Sequence, residues 1–348
     1  MSFPSDVGVA IVAHDNREVL GAALASLEAA GCPRSRIRVV DVLSTDGTVE
    51  WLRKTYPEVQ LVTLDRNDGP SPGRNVGIRL CEQPYVFLMD ADVRVQPNTI
   101  ERLREVMRSD PNIKVGSPIV VHLNAPDTIQ YADGHLHFIC EAINRWLDRP
   151  LADRGTATLD VGVAPTCGLL LDRQASIEVG LFDERYFIGK EDGDFTHRIR
   201  LAGFRIVEPA DTVVLHLSRP RGTWLFYYQI RNRWHFMLKN YQWWTLFWIL
   251  PCLAIHEPLQ LVVLHLKGHG RVYWKAVGGL LAMLPDLGRD RAVTNRIRKV
   301  NDAALLRSDH LIVREDLSSS PLVRLGKGVY EGFLRGYWRL LCATVLPR

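Results

Sequence analysis

From residue 7 to about residue 120 the chain alternates strand-length apolar runs with stretches of helical pattern, and this limits its fold more than any other feature. The runs are 7–13, 37–42, 59–64, 85–89 and 115–121, and the helical stretches between them are 18–30, 48–55, 73–80 and 99–109. Such a rhythm predicts βαβ units and a mostly parallel sheet with helices on both faces. Ligands of these sheets bind outside the carboxyl ends of the strands, so the polar residues that follow each run are the first to inspect. Residues 122–215 are less regular, with a helix expected near 192–201 and strands at 205–207 and 212–216. They read as the second half of the same domain, so the domains are 1–218 (halves 1–121 and 122–218) and 219–348.

Bulk properties exclude several classes. With 348 residues, 47% hydrophobic and 24% charged, the chain is too apolar for disorder and long enough for a large domain with an extension. A formal charge of +4 gives no reason to expect nucleic acid as a partner. Six scattered cysteines without a C-x-x-C pair fit a reducing compartment and supply no thiolate metal site. The N-terminus lacks a basic region ahead of its first apolar run, so no signal peptide is expected.

Four constellations carry possible chemistry. In FLMDADV an apolar strand ends in Asp90 and Asp92, with small Ala91 between them. Alternate positions on an extended segment face the same way, so the two carboxylates can share a hard divalent cation that also grips a diphosphate. In VVDVLSTDGT, Asp41 stands where a side chain could bond a nucleobase or ribose, and Asp46 reads as a turn residue or helix cap. In RNDGPSPGRNVG, Arg74 and Asn75 are read as opening a helix whose N–H groups and guanidinium suit a diphosphate. Glu191, Asp192 and Asp194 crowd a helix start, where the dipole alone would favour one or two of them. A carboxylate cluster in a cleft also raises the pKa of one member, as a general base requires. His216 ends the run VVLHL, where a lone histidine is either a satisfied core residue or a ligand.

In this order and spacing, from about Val7 to about Tyr241, these segments resemble the family 2 glycosyltransferases of GT-A fold, and within them a rhamnosyltransferase-like subset. The resemblance rests on the Asn16 turn, Asp41 with Ser44-Thr45-Asp46-Gly47-Thr48, Gly73-Arg74-Asn75-x-Gly77, Asp90-x-Asp92, Gly180-x-Phe182-Asp183-Glu184, Glu191-Asp192-x-Asp194 and His216. It implies an inverting, metal-dependent transfer from a nucleotide-sugar donor (UDP-, dTDP- or GDP-linked). Asn16, Asp41, Arg74, Asn75, Asp90 and Ala91 would contact the nucleotide, and Asp90, Asp92 and His216 would hold Mg²⁺ or Mn²⁺. Asp192 would be the catalytic base, with Glu191 and Asp194 beside the sugars. The first strand departs from the family by ending Val12-Ala13-His14-Asp15-Asn16, and Val42 and Leu43 follow Asp41 where polar or small residues are common. Gln229, Arg233 and Trp234 loosely resemble the Gln-x-x-Arg-Trp motif of processive synthases, with one residue too many, and join the acceptor and sugar candidates. The implied task is lipid-linked glycan or polysaccharide assembly for the cell envelope. A nucleotidyltransferase would need a Gly-rich basic loop where this chain reads AHDNREVL, and an inactive membrane adaptor would have no use for Asp90, Asp92 and Asp192 together.

Past Ser218 the composition changes. Five of nine tryptophans fall between Trp224 and Trp248, and 243–266 carries only Glu257 as a formal charge. Pro251, His256, Glu257 and Pro258 are expected to split that stretch into halves, each short of the ~20 apolar residues of a spanning helix. Lys and Arg outnumber Asp and Glu twelve to six after residue 286. Together these features predict interfacial helices on the cytoplasmic face of a membrane, in a peripheral chain able to form a homo-oligomer.

Overall fold

The computed structural model describes residues 3–218, 222–311 and 321–346. They form two compact units. The first comprises 1–133, 145–199 and 204–220; the second comprises 134–144, 200–203 and 221–348.

In chain order the first unit opens with β1 (Val7–Ala13), α1 (Leu20–Ala29), β2 (Ile37–Val42), α2 (Thr48–Thr55), β3 (Gln60–Leu64), α3 (Pro70–Leu80), β4 (Tyr85–Asp90), β5 (Val93–Val95) and α4 (Thr99–Ser109). Next come β6 (Ile113–Gly116), β7 (Ile119–His122), β8 (Ala125–Tyr131) and, in the second unit, the hairpin β9 (Gly134–His137) and β10 (Ala142–Asn144). The chain returns through β11 (Leu159–Asp160), β12 (Leu169–Asp172), α5 (Arg173–Glu178), α6 (Glu191–Leu201), β13 (Arg205–Glu208) and β14 (Val213–His216).

An eight-stranded sheet runs β11-β13-β6-β12-β4-β1-β2-β3, parallel through β4-β1-β2-β3 and antiparallel where β12 inserts beside β4. Every residue of β1 and β2 is buried, as expected of strands covered on both faces. A second sheet, β5-β14-β7-β8, begins one residue beyond Asp92. The expected strand at 115–121 is in fact two strands in different sheets, because the chain turns at Ser117-Pro118. Proline has no N–H for a ladder, so an apolar run broken by one cannot continue as a central strand.

Helix α3 begins at Pro70, with proline in its first turn, so Arg74 lies in its interior rather than opening it. It lies close on β1 and β2 because Gly73 and Gly77 face them. A Cβ at Gly77 would stand 2.8 Å from the Ala10 Cβ, and one at Gly73 would stand 3.0 Å from Val12 and Val42 methyls.

The second unit continues with α7 (Leu225–Asn240), α8 (Trp243–Leu266), α9 (Gly270–Met283), α10 (Leu287–Ile297), α11 (Asp302–Leu305), β15 (Leu306–Arg307) and α12 (Pro321–Thr344). Strand β15 completes the sheet β10-β9-β15, which is why 134–144 belongs here and not with the residues that flank it.

Contrary to the expected split, α8 is one helix of 24 residues, about 36 Å at 1.5 Å per residue. By length and composition it can cross a membrane, the sole such helix among the described residues. Pro251 and Pro258 are exposed and seven residues apart, so both missing hydrogen bonds fall on one outward side while inward packing continues. Arg233 also departs from its reading as an acceptor contact. It is 1% exposed and paired with Glu257 and Glu141, which joins α7 to α8 and the hairpin. Gln229 is exposed, and Trp234 packs beside Tyr273 and Ala276.

Candidate active site

Two carboxylates straddle the carboxyl end of β1. In the parallel register Ala13 stands beside Asp41 on β2, and Val12 stands beside Asp90 on β4. Buried Ala91 donates its N–H to Val12 O at 3.2 Å, which holds the turn that carries Asp92 out of the sheet.

Asp41 is 1% exposed, and its Oδ2 accepts the Ser44 N–H at 2.9 Å. Its Oδ1 is buried without a hydrogen-bond donor. An unsatisfied buried acceptor costs about 1–3 kcal/mol. The loops around it are laced together. His14 Nδ1 lies 2.7 Å from Val42 O, so it is the donor there, and Nε2 accepts from Asn67 Nδ2 at 3.0 Å. Asp15 Oδ1 accepts the Thr45 N–H at 2.7 Å. Asp46 takes the N–H groups of Thr48 and Arg17 and so caps α2 while tying it to the first loop. The Asn16 side chain accepts the His14 N–H at 2.9 Å and shapes the turn.

Arg74 and Asn75, read from the sequence as diphosphate contacts, are committed inside the protein. Arg74 is 3% exposed. It reaches Asp90 at 3.0 Å and Glu191 at 3.2 Å, and lies over the Phe182 ring. Burial opposes its charge, but Asp90 and Glu191 outweigh burial and raise its pKa. Asn75 donates to Phe182 O and Glu184 Oε1 and accepts the Phe182 N–H. The Gly-Arg-Asn segment and the Gly-x-Phe-Asp-Glu segment are therefore one structural joint.

The three acidic residues of α6 separate by environment. Asp194 is buried against Arg198, which also holds the carbonyls of Val179 and Leu181. It fixes the helix and cannot face a sugar. Glu191 is buried on Arg74, and burial, then the Asp192 charge, push its carboxyl up to about 7. Asp192 is half-buried, and its Oδ1 accepts the Gly193 N–H. Burial raises its pKa against the opposing pull of Arg74. After burial, the charges of Asp90, Asp92 and Asp192 are what raise the Cys167 thiol, so all three lie near it.

Strand β14 runs antiparallel to β5 and sets His216 beside Val93, with Leu217 N–H bonded to Asp92 O. His216 Nε2 thus lies 3.6 Å from Asp92 Oδ1, while its Nδ1 lies 2.8 Å from Gln130 Oε1 on β8. Among the described residues no group of three or more His, Cys, Asp and Glu side chains closes a metal cage. Mg²⁺ and Mn²⁺ need no such cage. Such ions commonly use one or two protein carboxylates and complete their shell with substrate phosphates and water. Two ligands on an octahedral ion at ~2.1 Å stand roughly 3 Å apart. The Asp92–His216 pair fits this with a small side-chain adjustment. Sequence reasoning missed Gln130 and His14. No motif marks Gln130, and His14 shows only as a departure from the family turn.

A family profile described as Glycosyl transferase family 2 matches residues 8–176. The succinoglycan biosynthesis protein ExoO of Rhizobium meliloti is 29% identical over 38% of this chain, which spans 38% of that protein. An N-acetylglucosaminyl-diphospho-decaprenol L-rhamnosyltransferase of Mycobacterium tuberculosis is 28% identical over 56% of this chain and 70% of its own length. Among solved structures, GalNAc-T7 with UDP, GalNAc and Mn²⁺ superposes with a TM-score of 0.55 and 16% identity, over 68% of this chain and 48% of that one. The mixed sheet and its helices have the GT-A fold.

Proposed function

Because the chain belongs to glycosyl transferase family 2 through residues 8–176, we propose that it moves a sugar, with inversion, from a nucleotide donor to an acceptor hydroxyl. The observation that carries this reading is the Asp92–His216 pair, 3.6 Å apart at the end of the central sheet. Asp92 and His216 would hold a divalent metal, with Asp90 braced on Arg74 beside them, as the GalNAc-T7 structure contains Mn²⁺. Bound there, the metal supplies Lewis-acid stabilisation of charge on the departing nucleoside diphosphate.

The chain's own residues do the rest. Asp41 Oδ1, buried and lacking a donor, takes an N–H of the base of a UDP-, dTDP- or GDP-linked sugar. Arg74 holds Asp90 in place and keeps a positive charge beneath the cluster. Asp192, the α6 carboxylate not engaged by an arginine in the contacts above, removes the acceptor proton as the hydroxyl attacks the anomeric carbon from the opposite face.

The decaprenol-linked acceptor in the name of the mycobacterial relative supports a lipid-linked glycan acceptor and a rhamnosyl-type donor. The apolar exposed length of α8 supports a peripheral place at the cytoplasmic face of a membrane. The test is hydrolysis and transfer by purified protein over a panel of nucleotide sugars, with and without Mn²⁺. Metal-dependent turnover giving the inverted anomer is expected. Retention of configuration, or turnover indifferent to a chelator, overturns the mechanism.

A further inference from the structure

We propose that α8 and α12 form a flat two-helix plate that docks lengthwise on an anionic bilayer without crossing it. The two helices, 24 residues each, run antiparallel and are stitched along their length. Trp244 Nε1 donates to Val345 O at 3.0 Å, Tyr337 Oη donates to Trp248 O at 2.7 Å, and His256 Nδ1 lies 3.0 Å from Tyr330 Oη.

The inward side of α8 is engaged from Thr245 to Leu264, and at its middle Glu257 pairs with the buried Arg233 and accepts from Tyr273 Oη. A helix clamped lengthwise by such polar partners cannot pass alone through hydrocarbon, where unsatisfied or charged groups are costly. Its outward side is another matter. Trp243, Phe247, Leu250, Leu259, Val262 and Leu266 are all exposed, as are Leu325, Val329, Phe333 and Leu340 on α12. This apolar area, with tryptophans at one end, suits the depth of the headgroup and acyl boundary.

Charge identifies the occupant as anionic lipid. Exposed Arg271 and Lys275 follow α8, and Arg339 is exposed on α12. The acidic residues of the two helices, Glu257 and Glu331, are held by Arg233 and by His310 with the Leu311 N–H. A second protein copy would present the same positive rim and repel it.

This deepens the membrane reading above, and the experiment separates the two. Full-length protein is floated with phosphatidylcholine vesicles, with and without phosphatidylglycerol, while nucleoside diphosphate binding is recorded in parallel. Binding to anionic vesicles is expected, with about a tenfold loss for Arg271→Glu with Lys275→Glu. Phe247→Glu with Leu259→Glu should abolish flotation and leave circular dichroism and nucleotide binding unchanged, since both positions are exposed. Cysteine-attached probes at 243 and 266 should report the same shallow depth to lipid-borne quenchers.

Wild-type protein that ignores both vesicle types overturns the proposal, as does a dimer dispersed by the Phe247/Leu259 pair. Probes lying on opposite sides of the bilayer overturn the flat arrangement in favour of a span. Failure of nucleotide binding in wild type would count against the transferase reading alone.

Discussion

His216 Nδ1 donates to Gln130 Oε1 at 2.8 Å, which leaves Nε2 as the lone-pair nitrogen 3.6 Å from Asp92 Oδ1. Gln130 thereby sets the tautomer that a metal ligand needs. Partners of this kind usually change metal affinity by about 10–100-fold when removed. Gln130→Ala should weaken Mn²⁺ binding by that factor in the presence of a nucleoside diphosphate, read as free Mn²⁺ by electron paramagnetic resonance. Gln130→Glu, which keeps an acceptor, should restore it. Equal affinity in Gln130→Ala and wild type would remove Gln130 from the site.

Asp92→Ala should lower kcat/KM by at least ~10³-fold, about 4 kcal/mol of transition-state stabilisation. Asp92 is half-buried beside a strand end, so the melting temperature should hold. Near-normal turnover at saturating Mn²⁺ would show that the metal lies elsewhere.

Asp192→Asn should reduce kcat by ~10²–10⁴-fold and leave donor affinity largely unchanged, because it removes a proton acceptor and not a binding contact. The base acts ionised, and burial raises its pKa. Activity should therefore fall on acidification at a pH above the ordinary carboxylate range, and be full on the alkaline side. An acid limb that persists unchanged in Asp192→Asn would assign the proton to another group.

Arg74→Ala should destabilise the fold by about 3–5 kcal/mol, since it strips a buried guanidinium from Asp90 and Glu191 and leaves the buried Glu191 without its cation. Denaturant midpoints measure this. Arg74→Ala as stable as wild type would contradict the joint described here.

Much of the first half was legible because β1, β2 and the middle of β4 are buried on both faces and read as unbroken apolar runs. Strands β1 and β2 and helices α2 and α4 begin and end where periodicity places them. The pattern fails where one run serves two sheets, at Ser117-Pro118. It fails again where prolines sit inside a helix whose missing hydrogen bonds face outward. At the site, the carboxylates were legible as strand ends and helix starts. Which of them an arginine would neutralise was not, because the Arg74 contacts span 16 and 117 residues of sequence. Glu191, Asp192 and Asp194 look alike in one dimension, and only their partners separate a buried pair, a half-buried carboxylate and a tether.

The short hairpin β9–β10 lies in the second unit while the residues before and after it lie in the first. It pairs with β15, and Phe138 beside it stacks at 4.8 Å on Trp338. The chain is thus interleaved, and its C-terminal third is no detachable tail. A stop codon after Tyr241 would remove β15 and Trp338 and bare Phe138, so the truncated product should aggregate or be degraded. Any gene shuffling that exchanged the helices from α7 to α12 would have to carry eleven residues from the middle of the first unit's sequence with them.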